Sequence, residues 1–224
     1  MIQETALKAV QMRICAAMHE ARRSLNTVNL LAVSKGRRAE AIRALWQLGQ
    51  RAYGESYVQE WREKFALLTD CVDLEWHFIG NIQANKTRFI AEHATWVHSV
   101  NSARIAKRLS TQRPSNLPAL NVCIEVNMGD EFTKSGIAVA ELPRLIACIR
   151  ALPHLILRGL MVIPDPHLTM DETRQLFAAT ANLAHTHHLD TLSMGMSTDL
   201  EVAIVEGATW VRVGRALFEE KNNV

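Results

Sequence analysis

Short apolar runs alternate with segments of helical period along the whole chain, and this alternation limits the possible folds more than any other feature. Each run is long enough for a β-strand, and the segments between them repeat apolar residues at three- and four-residue spacing. Near-continuous apolar strands are typical of parallel sheets that helices cover. The predicted strands are residues 29–34, 51–55, 74–80, 95–100, 120–127, 155–163, 190–195 and 209–214.

The number of predicted strands favours a closed barrel, because eight strand–helix units are what a (β/α)8 barrel requires. An open doubly wound sheet is the alternative, but no G-x-G-x-x-G motif follows the first strand. We therefore predict one α/β domain over residues 1–224, a TIM barrel with an extra N-terminal helix. The amphipathic pattern of that helix consists of Leu7, Val10, Ile14, Met18, Ala21 and Leu25.

Composition and charge limit the classes of function. The chain has 224 residues, 48% of them hydrophobic, and a formal net charge of +2. This charge is too small to indicate nucleic-acid binding, and no basic stripe with interleaved aromatic residues occurs. No signal-peptide pattern and no apolar run of bilayer length is present. The sequence therefore predicts a cytoplasmic protein that binds neither nucleic acid nor membranes.

Cysteine and histidine spacing gives no indication of a metal site. The cysteines are scattered and form no C-x-x-C pair, so we expect reduced, mostly buried thiols. The cluster of His185, His187 and His188 has no acidic residue or cysteine at ligand spacing and is expected to be a solvated helix end. The four cysteines are Cys15, Cys71, Cys123 and Cys148.

Polar residues and glycines collect where the predicted strands end. In a TIM barrel these ends share one face, and the loops after the last two strands commonly hold a phosphate. The seventh strand breaks at Gly195, and a helix is predicted to open behind Ser197, while Gly214 opens the last helix. Helix N-termini favour anions. Together, the two loops indicate a phosphorylated ligand.

Lys35 follows the first predicted strand, which in a closed barrel lies beside the eighth and hence beside this phosphate site. A lysine surrounded by apolar strand residues loses its proton readily, and a neutral amine can form a Schiff base with an aldehyde. Position alone also fits an ordinary solvated lysine. We therefore treat Schiff-base formation by Lys35 as a hypothesis.

Seven blocks of the chain, in order, resemble the pyridoxal phosphate homeostasis family, also called YggS-like or PROSC-like proteins. The family has a single barrel similar to the N-terminal domain of alanine racemase, which implies the type III fold and pyridoxal 5'-phosphate (PLP) as the cofactor. The blocks are "LLAVSK" (30–35), "YGESYVQE" (53–60), "LEWHFIGNIQANK" (74–86), "IEVNMGDEFTKSG" (124–136), "RGLMVIP" (158–164), "LSMGMSTDLEVAI" (192–204) and "VRVGRALF" (211–218).

The resemblance implies a role for each matching residue. Lys35 is the Schiff-base lysine, and Arg212 lies against the pyridine nitrogen of PLP. A guanidinium cannot give its proton to that nitrogen, so the ring remains a poor electron sink and carbanion chemistry is disfavoured. No catalytic residue is predicted. The phosphate is assigned to Ser193, Met196, Ser197, Gly214 and Arg215, and the other predicted cofactor-binding residues are Ser56, His77 and Met161.

The chain departs from the family pattern at three positions. Ser56 stands where the family usually has asparagine, which shortens a polar contact on the ring side of the site. Arg215 replaces a threonine, and Glu219 replaces a glycine. Lys134, in the loop "TKSG", is a candidate secondary contact to PLP. None of these departures removes the lysine or the arginine.

Three functions are compatible with these residues. The first is a monomeric PLP-binding protein in vitamin B6 and amino-acid or keto-acid homeostasis, with PLP-dependent apoenzymes as candidate recipients. The second is an amino-acid racemase, which needs a second acid–base group. Alanine racemases take a tyrosine from a C-terminal domain, whereas this chain ends at Val224, leaving Tyr53 or Tyr57 as candidates.

The third function is a sugar-phosphate barrel enzyme. In that case Lys35 pairs with a phosphate, and the candidate catalytic residues are His77, Glu125 and Asn127.

Overall fold

The apolar runs form parallel β-strands in the computed structural model, which describes residues 2–129 and 135–218. All eight predicted strands are confirmed, with ends that differ by no more than two residues from those expected. The strands are β1 (Asn29–Val33), β2 (Ala52–Glu55), β3 (Glu75–Phe78), β4 (Trp96–Val100), β5 (Leu120–Asn127), β6 (Ile137–Ala138), β7 (Leu155–Met161), β8 (Thr191–Ser193) and β9 (Trp210–Val213).

The sheet closes into a barrel. The strand order is β4-β3-β2-β1-β9-β8-β7-β5-β6, and an additional β4–β5 pairing joins the strands that an open sheet would leave apart. The first and last strands of the chain pair in parallel, with Leu31 beside Arg212. The (β/α)8 barrel is therefore confirmed, and the open sheet is not formed. The unpredicted β6 is only two residues long and pairs with the end of β5.

Helices lie between consecutive barrel strands, and their apolar faces cover the outside of the barrel. Short 3-10 turns at Ala84–Lys86 and Val139–Glu141 precede two of them. The helices are α1 (Ile2–Glu20), α2 (Ala39–Gln47), α3 (Val58–Leu67), α4 (Thr87–His93), α5 (Ala103–Gln112), α6 (Leu142–Arg150), α7 (Met170–Thr186), α8 (Leu200–Val205) and α9 (Arg215–Phe218).

Strand side chains alternate between the barrel interior and the helix layer, as the period of two requires. On β1, Leu31 packs in an interior cluster with Ala52 and Trp210. Its neighbour Ala32 belongs to the larger core between strands and helices. This alternation decides which polar side chains enter the barrel and which contact the helices around it.

The extra N-terminal helix is confirmed, but it is shorter than its apolar pattern indicated. Leu7, Val10 and Ile14 are buried as predicted, and α1 contacts α8 and α9. Leu25 lies beyond the end of the helix and is 72% exposed. Arg22 adopts a φ of 52°, a left-handed conformation that ends the helix before the pattern does.

No helix in the described ranges 2–129 and 135–218 is long and apolar enough to cross a membrane. All four cysteines lie in these ranges and are free thiols. Only Cys71 and Cys123 are buried, so the expectation of mostly buried cysteines holds for half of them. Within the same ranges, no group of three or more histidine, cysteine or acidic side chains is placed to hold a metal ion.

Candidate functional site

Lys35 lies at the C-terminal rim of the barrel, two positions beyond the end of β1. The chain turns sharply after it, since Gly36 has a φ of 71°, a conformation that glycine adopts without strain. The Lys35 side chain is exposed. The expectation that apolar strand residues surround it is therefore wrong, because the strand ends before the lysine.

Arg212 lies on β9 and is only 4% exposed. Its Nη1 atom donates to the Ser193 carbonyl oxygen at 2.5 Å and to the Ser193 hydroxyl at 2.9 Å, and Nη2 donates to the Val162 carbonyl oxygen at 3.0 Å. Burial lowers the pKa of Arg212 to about 10, although the negative charges of Asp199 and Glu125 oppose this shift. The guanidinium therefore remains protonated at neutral pH and is held rigidly.

A row of buried hydrogen bonds continues from Arg212 into the barrel. The Ser193 hydroxyl lies 2.7 Å from His98 Nδ1, and His98 Nε2 lies 2.9 Å from His77 Nδ1. The Ser193 oxygen thus accepts from Arg212 and is also joined to His98 Nδ1 by a hydrogen bond. The other ring nitrogen of His98 is hydrogen-bonded to His77.

His77 lies at the inner end of this row and has no exposed surface. Its Nε2 atom has no hydrogen-bond partner among the described residues and lies 3.8 Å from a Glu75 carboxylate oxygen, which is too long for a hydrogen bond. Its ring stacks on Trp96 and contacts Trp210. The structure thus connects His77 to Arg212 through His98 and Ser193.

The loop after β8 differs from the sequence expectation. The helix predicted to open behind Ser197 begins at Leu200, because the Asp199 carboxylate accepts the Met196 amide at 2.5 Å and holds a turn before the helix. The Met196 amide and the Ser193 hydroxyl, both predicted to bind phosphate, have partners within the protein. Their roles toward a phosphate stay predictions.

Helix α1 supports this loop from outside. Arg13 Nη2 donates to the Ser197 carbonyl oxygen at 2.9 Å, while Arg13 Nε forms an ion pair with Glu201 of α8 at 2.6 Å. Sequence reasoning missed both residues. A charged position on an amphipathic helix indicates an exposed face but does not say which loop that face will meet.

Gly214 connects β9 to α9 and lies against β1. A β-carbon at this position would come within 3.3 Å of the Val33 carbonyl oxygen, so glycine suits this close approach. Arg215 begins α9 and is exposed. The first amides of a helix have no acceptor within it and remain able to bind an anion. Glu219 lies outside the described residues, as does Lys134.

The remaining predicted residues lie at neighbouring strand ends. Met161 ends β7, is buried, and is the register partner of both Ser193 and Glu125. Ser56 follows β2 and is partly exposed beside a pocket of about 270 Å³ that Lys86 also lines. Thus the structure brings one set of groups to one end of the barrel. They are Lys35, Ser56, Met161, Arg212 and the two loops that follow β8 and β9.

The residues of the sugar-phosphate alternative are less well placed. His77 is inside the barrel, as described above, and Glu125 accepts a hydrogen bond from the Ser135 hydroxyl. Burial raises the pKa of Glu125, which Ser135 and Arg212 partly counteract. The side-chain oxygen of Asn127 accepts the amide of Gly129. These contacts give Glu125 and Asn127 partners within the protein.

A cavity of about 660 Å³ lies at the opposite, N-terminal end of the barrel, between α1 and the strand starts. None of the predicted site residues lines it. Its lining includes Trp210 and Gln50. The side-chain amide of Gln50 donates to the main-chain carbonyl oxygens of Leu30 and Ala52. This cavity is therefore not part of the predicted PLP site.

The groups at the rim fit the chemistry of PLP. A primary amine at Lys35 matches the aldehyde, and a buried, protonated guanidinium matches an aromatic ring nitrogen that accepts a hydrogen bond. The Ser197 hydroxyl and the start of α9 can donate to a phosphate. This set of donors is compatible with PLP.

Comparisons with known proteins agree with this geometry. The family model "Alanine racemase, N-terminal domain" matches residues 9–221. The pyridoxal phosphate homeostasis protein of Pseudomonas aeruginosa is 53% identical over 211 residues, which cover 93% of this chain and 91% of that protein. The protein of the same description from Escherichia coli K12 is 47% identical over 219 residues, which cover 95% and 94% of the two chains.

A solved structure resembles the whole barrel. PipY of Synechococcus elongatus, with PLP bound, matches with a TM-score of 0.83 and 39% identity, and the match covers 92% of this chain and 100% of PipY. The chain therefore belongs to the alanine racemase N-terminal domain family, among the pyridoxal phosphate homeostasis proteins.

Proposed function

We propose that this protein binds PLP at the C-terminal rim of the barrel, holds it as a Schiff base on Lys35, and serves intracellular PLP and amino-acid or keto-acid homeostasis. The observation that carries the proposal is the pairing of β1 with β9, which places Lys35 beside the strand of the buried Arg212. Two comparisons support the proposal: its relatives are described as pyridoxal phosphate homeostasis proteins, and PipY has PLP bound.

Each residue at the rim has a proposed task. Lys35 supplies the amine, and Arg212 donates a hydrogen bond to the ring nitrogen. The residues around the phosphate are Ser193, Met196, Ser197, Gly214 and Arg215. The ring side of the site is completed by Ser56, Met161 and His77. When bound, PLP supplies an aldehyde and an aromatic ring that can delocalise electrons. Arg212 keeps its proton, so the ring nitrogen gains no positive charge from it.

We propose that the protein does not catalyse efficiently. A racemase needs acid–base groups on both faces of the ring. The Tyr53 hydroxyl is buried in the helix layer and donates toward the main-chain oxygens of Ile42 and Gln50. Burial also raises the pKa of Tyr53, so its hydroxyl stays protonated at neutral pH and is not available as a base. Tyr57 is exposed at 65%.

The proposed partners follow from the same function. PLP is the ligand, PLP-dependent apoenzymes are the recipients, and the protein acts in the cytoplasm. We further propose that it is a monomer, because its exposed apolar side chains, such as Met12, Tyr57 and Val72, lie on separate elements. Light scattering should then give a mass of 25.1 kDa, and a dimer mass would reject this part.

The central test is spectroscopic. Purified protein mixed with PLP should develop a visible absorption band that borohydride removes, and mass spectrometry should find the reduced adduct on Lys35. Lys35→Ala should lose the band and the adduct. Lys86→Ala is the matched control, since Lys86 is a partly buried lysine near the same rim, and it should retain both. An adduct that persists in Lys35→Ala would disprove the assignment of Lys35.

A further inference from the structure

A buried lysine lies directly behind the Lys35 turn. Lys64 is on α3, and its side chain is only 6% exposed. Its Nζ atom lies 2.6 Å from the Ser34 carbonyl oxygen, 2.6 Å from Glu55 Oε1 and 2.6 Å from Glu60 Oε1. An ammonium group has three N–H donors, and all three have acceptors here.

These contacts reach the residues on both sides of Lys35. The Ser34 carbonyl oxygen accepts from Lys64, and the Ser34 hydroxyl donates to Glu55 at 2.7 Å. On the other side, the Gly36 amide donates to Glu60 at 2.5 Å. The main chain before and after Lys35 is therefore attached to β2 and α3, while the Lys35 side chain remains exposed.

Stability alone does not account for this cluster. Burying an ammonium and a carboxylate removes both from water, and well-packed apolar residues often stabilise such a position as well or better. Glu55 is fully buried, and its Oε2 atom has no hydrogen-bond partner among the described residues. The rim residues assigned to PLP do not include Lys64, Glu55 or Glu60. What the cluster does provide is a fixed backbone around Lys35.

We propose that Lys64, together with Glu55 and Glu60, is a positioning group for Lys35. It fixes the peptide groups of Ser34 and Gly36, so that the amine of Lys35 points at the aldehyde carbon of the ligand. In the bond-forming step, the neutral Lys35 nitrogen binds that carbon, and the aldehyde oxygen leaves as water with the two amine hydrogens. This inference rests on the proposed function of Lys35.

Two ligands separate positioning from general damage to the site. PLP carries the aldehyde that reacts with Lys35, whereas pyridoxine 5'-phosphate has an alcohol in its place and can use only the ring and phosphate contacts. In Lys64→Met, we expect the apparent affinity for PLP to fall about tenfold or more, because small displacements of a reacting group cost large factors. The affinity for pyridoxine 5'-phosphate should stay within about twofold of wild type.

Two further variants keep the test decisive if Lys64→Met does not fold. Lys64→Met combined with Glu55→Gln removes both buried charges, so that the one carboxylate left without Lys64 is that of the partly exposed Glu60, which still accepts the Gly36 amide. Glu60→Ala removes the acceptor of the Gly36 amide at a partly exposed position. Glu63→Ala is the matched control, because Glu63 is exposed on the same helix. Glu60→Ala should slow the appearance of the visible band, and Glu63→Ala should not.

The outcomes distinguish this inference from the proposed function. If wild-type protein forms no borohydride-fixable adduct on Lys35, the proposed function itself fails. If the adduct forms, but the folded Lys64 variants bind both ligands as wild type does, only the positioning role is overturned. Equal losses for PLP and pyridoxine 5'-phosphate would also overturn it, because they would indicate a general structural defect.

Discussion

The Ser193 hydroxyl connects Arg212 to a row of buried hydrogen bonds. It accepts from Arg212 and is hydrogen-bonded to His98, which in turn is hydrogen-bonded to His77. Burial lowers the pKa of both histidines, and the positive charge of Arg212 adds to this effect at His98. Both rings are thus neutral at neutral pH, and the hydrogen bonds to Ser193 and Val162 hold Arg212 in one orientation.

Replacing the central histidine should destabilise the protein. In His98→Phe, the Ser193 hydroxyl and His77 Nδ1 both lose their partner on His98, so two buried polar groups each lose a hydrogen bond. We expect the free energy of unfolding to fall by roughly 2–4 kcal/mol, as measured by urea denaturation. His19→Phe, at an exposed position on α1, is the control and should change it by less than about 0.5 kcal/mol.

The same variant should change how stability depends on pH. The folded-state pKa of His98 lies well below its ordinary value of 6.5, so the unfolded chain binds protons first as the pH falls below 6.5. This lowers stability by up to about 1.4 kcal/mol per pH unit for each such histidine. Between pH 6.5 and 5.5, His98→Phe should lose stability less steeply than wild type. Parallel curves would show that His98 does not contribute.

The sequence identified the residues at the strand ends better than those inside or behind them. Lys35 and Arg212 stand out because a barrel places its strand ends together. His98 could have been recognised as an interior residue from strand alternation, since Trp96 and His98 share a face of β4. Lys64 could not, because its burial depends on how α3 meets the Lys35 turn.

Helix α1 is an addition to the barrel, and its Arg13 reaches the loop expected to bind phosphate. Arg13 forms an ion pair with Glu201. The hydrogen bond between the two side chains lowers the pKa of Glu201 and raises that of Arg13. The same guanidinium holds the Ser197 carbonyl oxygen. The helix therefore limits the movement of the turn between β8 and α8.

Loss of this contact should weaken PLP binding more than folding. Both side chains of the ion pair are partly exposed, at 36% and 42%, so its contribution to stability is modest. In Arg13→Met, we expect the affinity for PLP to fall about two- to fivefold, equivalent to roughly 0.5–1 kcal/mol. Fluorescence titration would measure this.

Lys8→Met removes an exposed pair with Glu4 on the same helix and serves as the control. Unchanged affinity in Arg13→Met would show that the loop holds its shape without α1.

Strands were predictable as elements because each is a continuous apolar run, and β5 has the predicted bounds, 120–127. Helix ends were less predictable, because contacts within a turn decide them. The early end of α1 depends on the left-handed Arg22, and the late start of α8 depends on the Asp199 carboxylate. Periodicity contains no information about either contact.

Closure of the barrel joins parts of the chain that are far apart in sequence. Lys35 and Arg212 lie near the two ends of the described residues, yet β1 and β9 are paired over four register positions. The count of eight strands was enough to predict this closure. The polar row that crosses the interior from β9 to β3 was not predictable, because it depends on how the strands are staggered.

Because the site exists only when the barrel is closed, PLP should stabilise the whole molecule. An unfolded chain cannot bring the proposed ligands Lys35, Ser197 and Arg212 together, so we expect PLP to bind the folded state much more tightly than the unfolded chain. At a free concentration one hundred times its dissociation constant, PLP should raise the free energy of unfolding by about 2.7 kcal/mol, measured by urea denaturation. At the same PLP concentration, Lys35→Ala should show a smaller increase, because its affinity is lower. An equal increase in both proteins would mean that PLP stabilises the fold without using Lys35, and no increase in either would mean that the closed barrel is not what binds it.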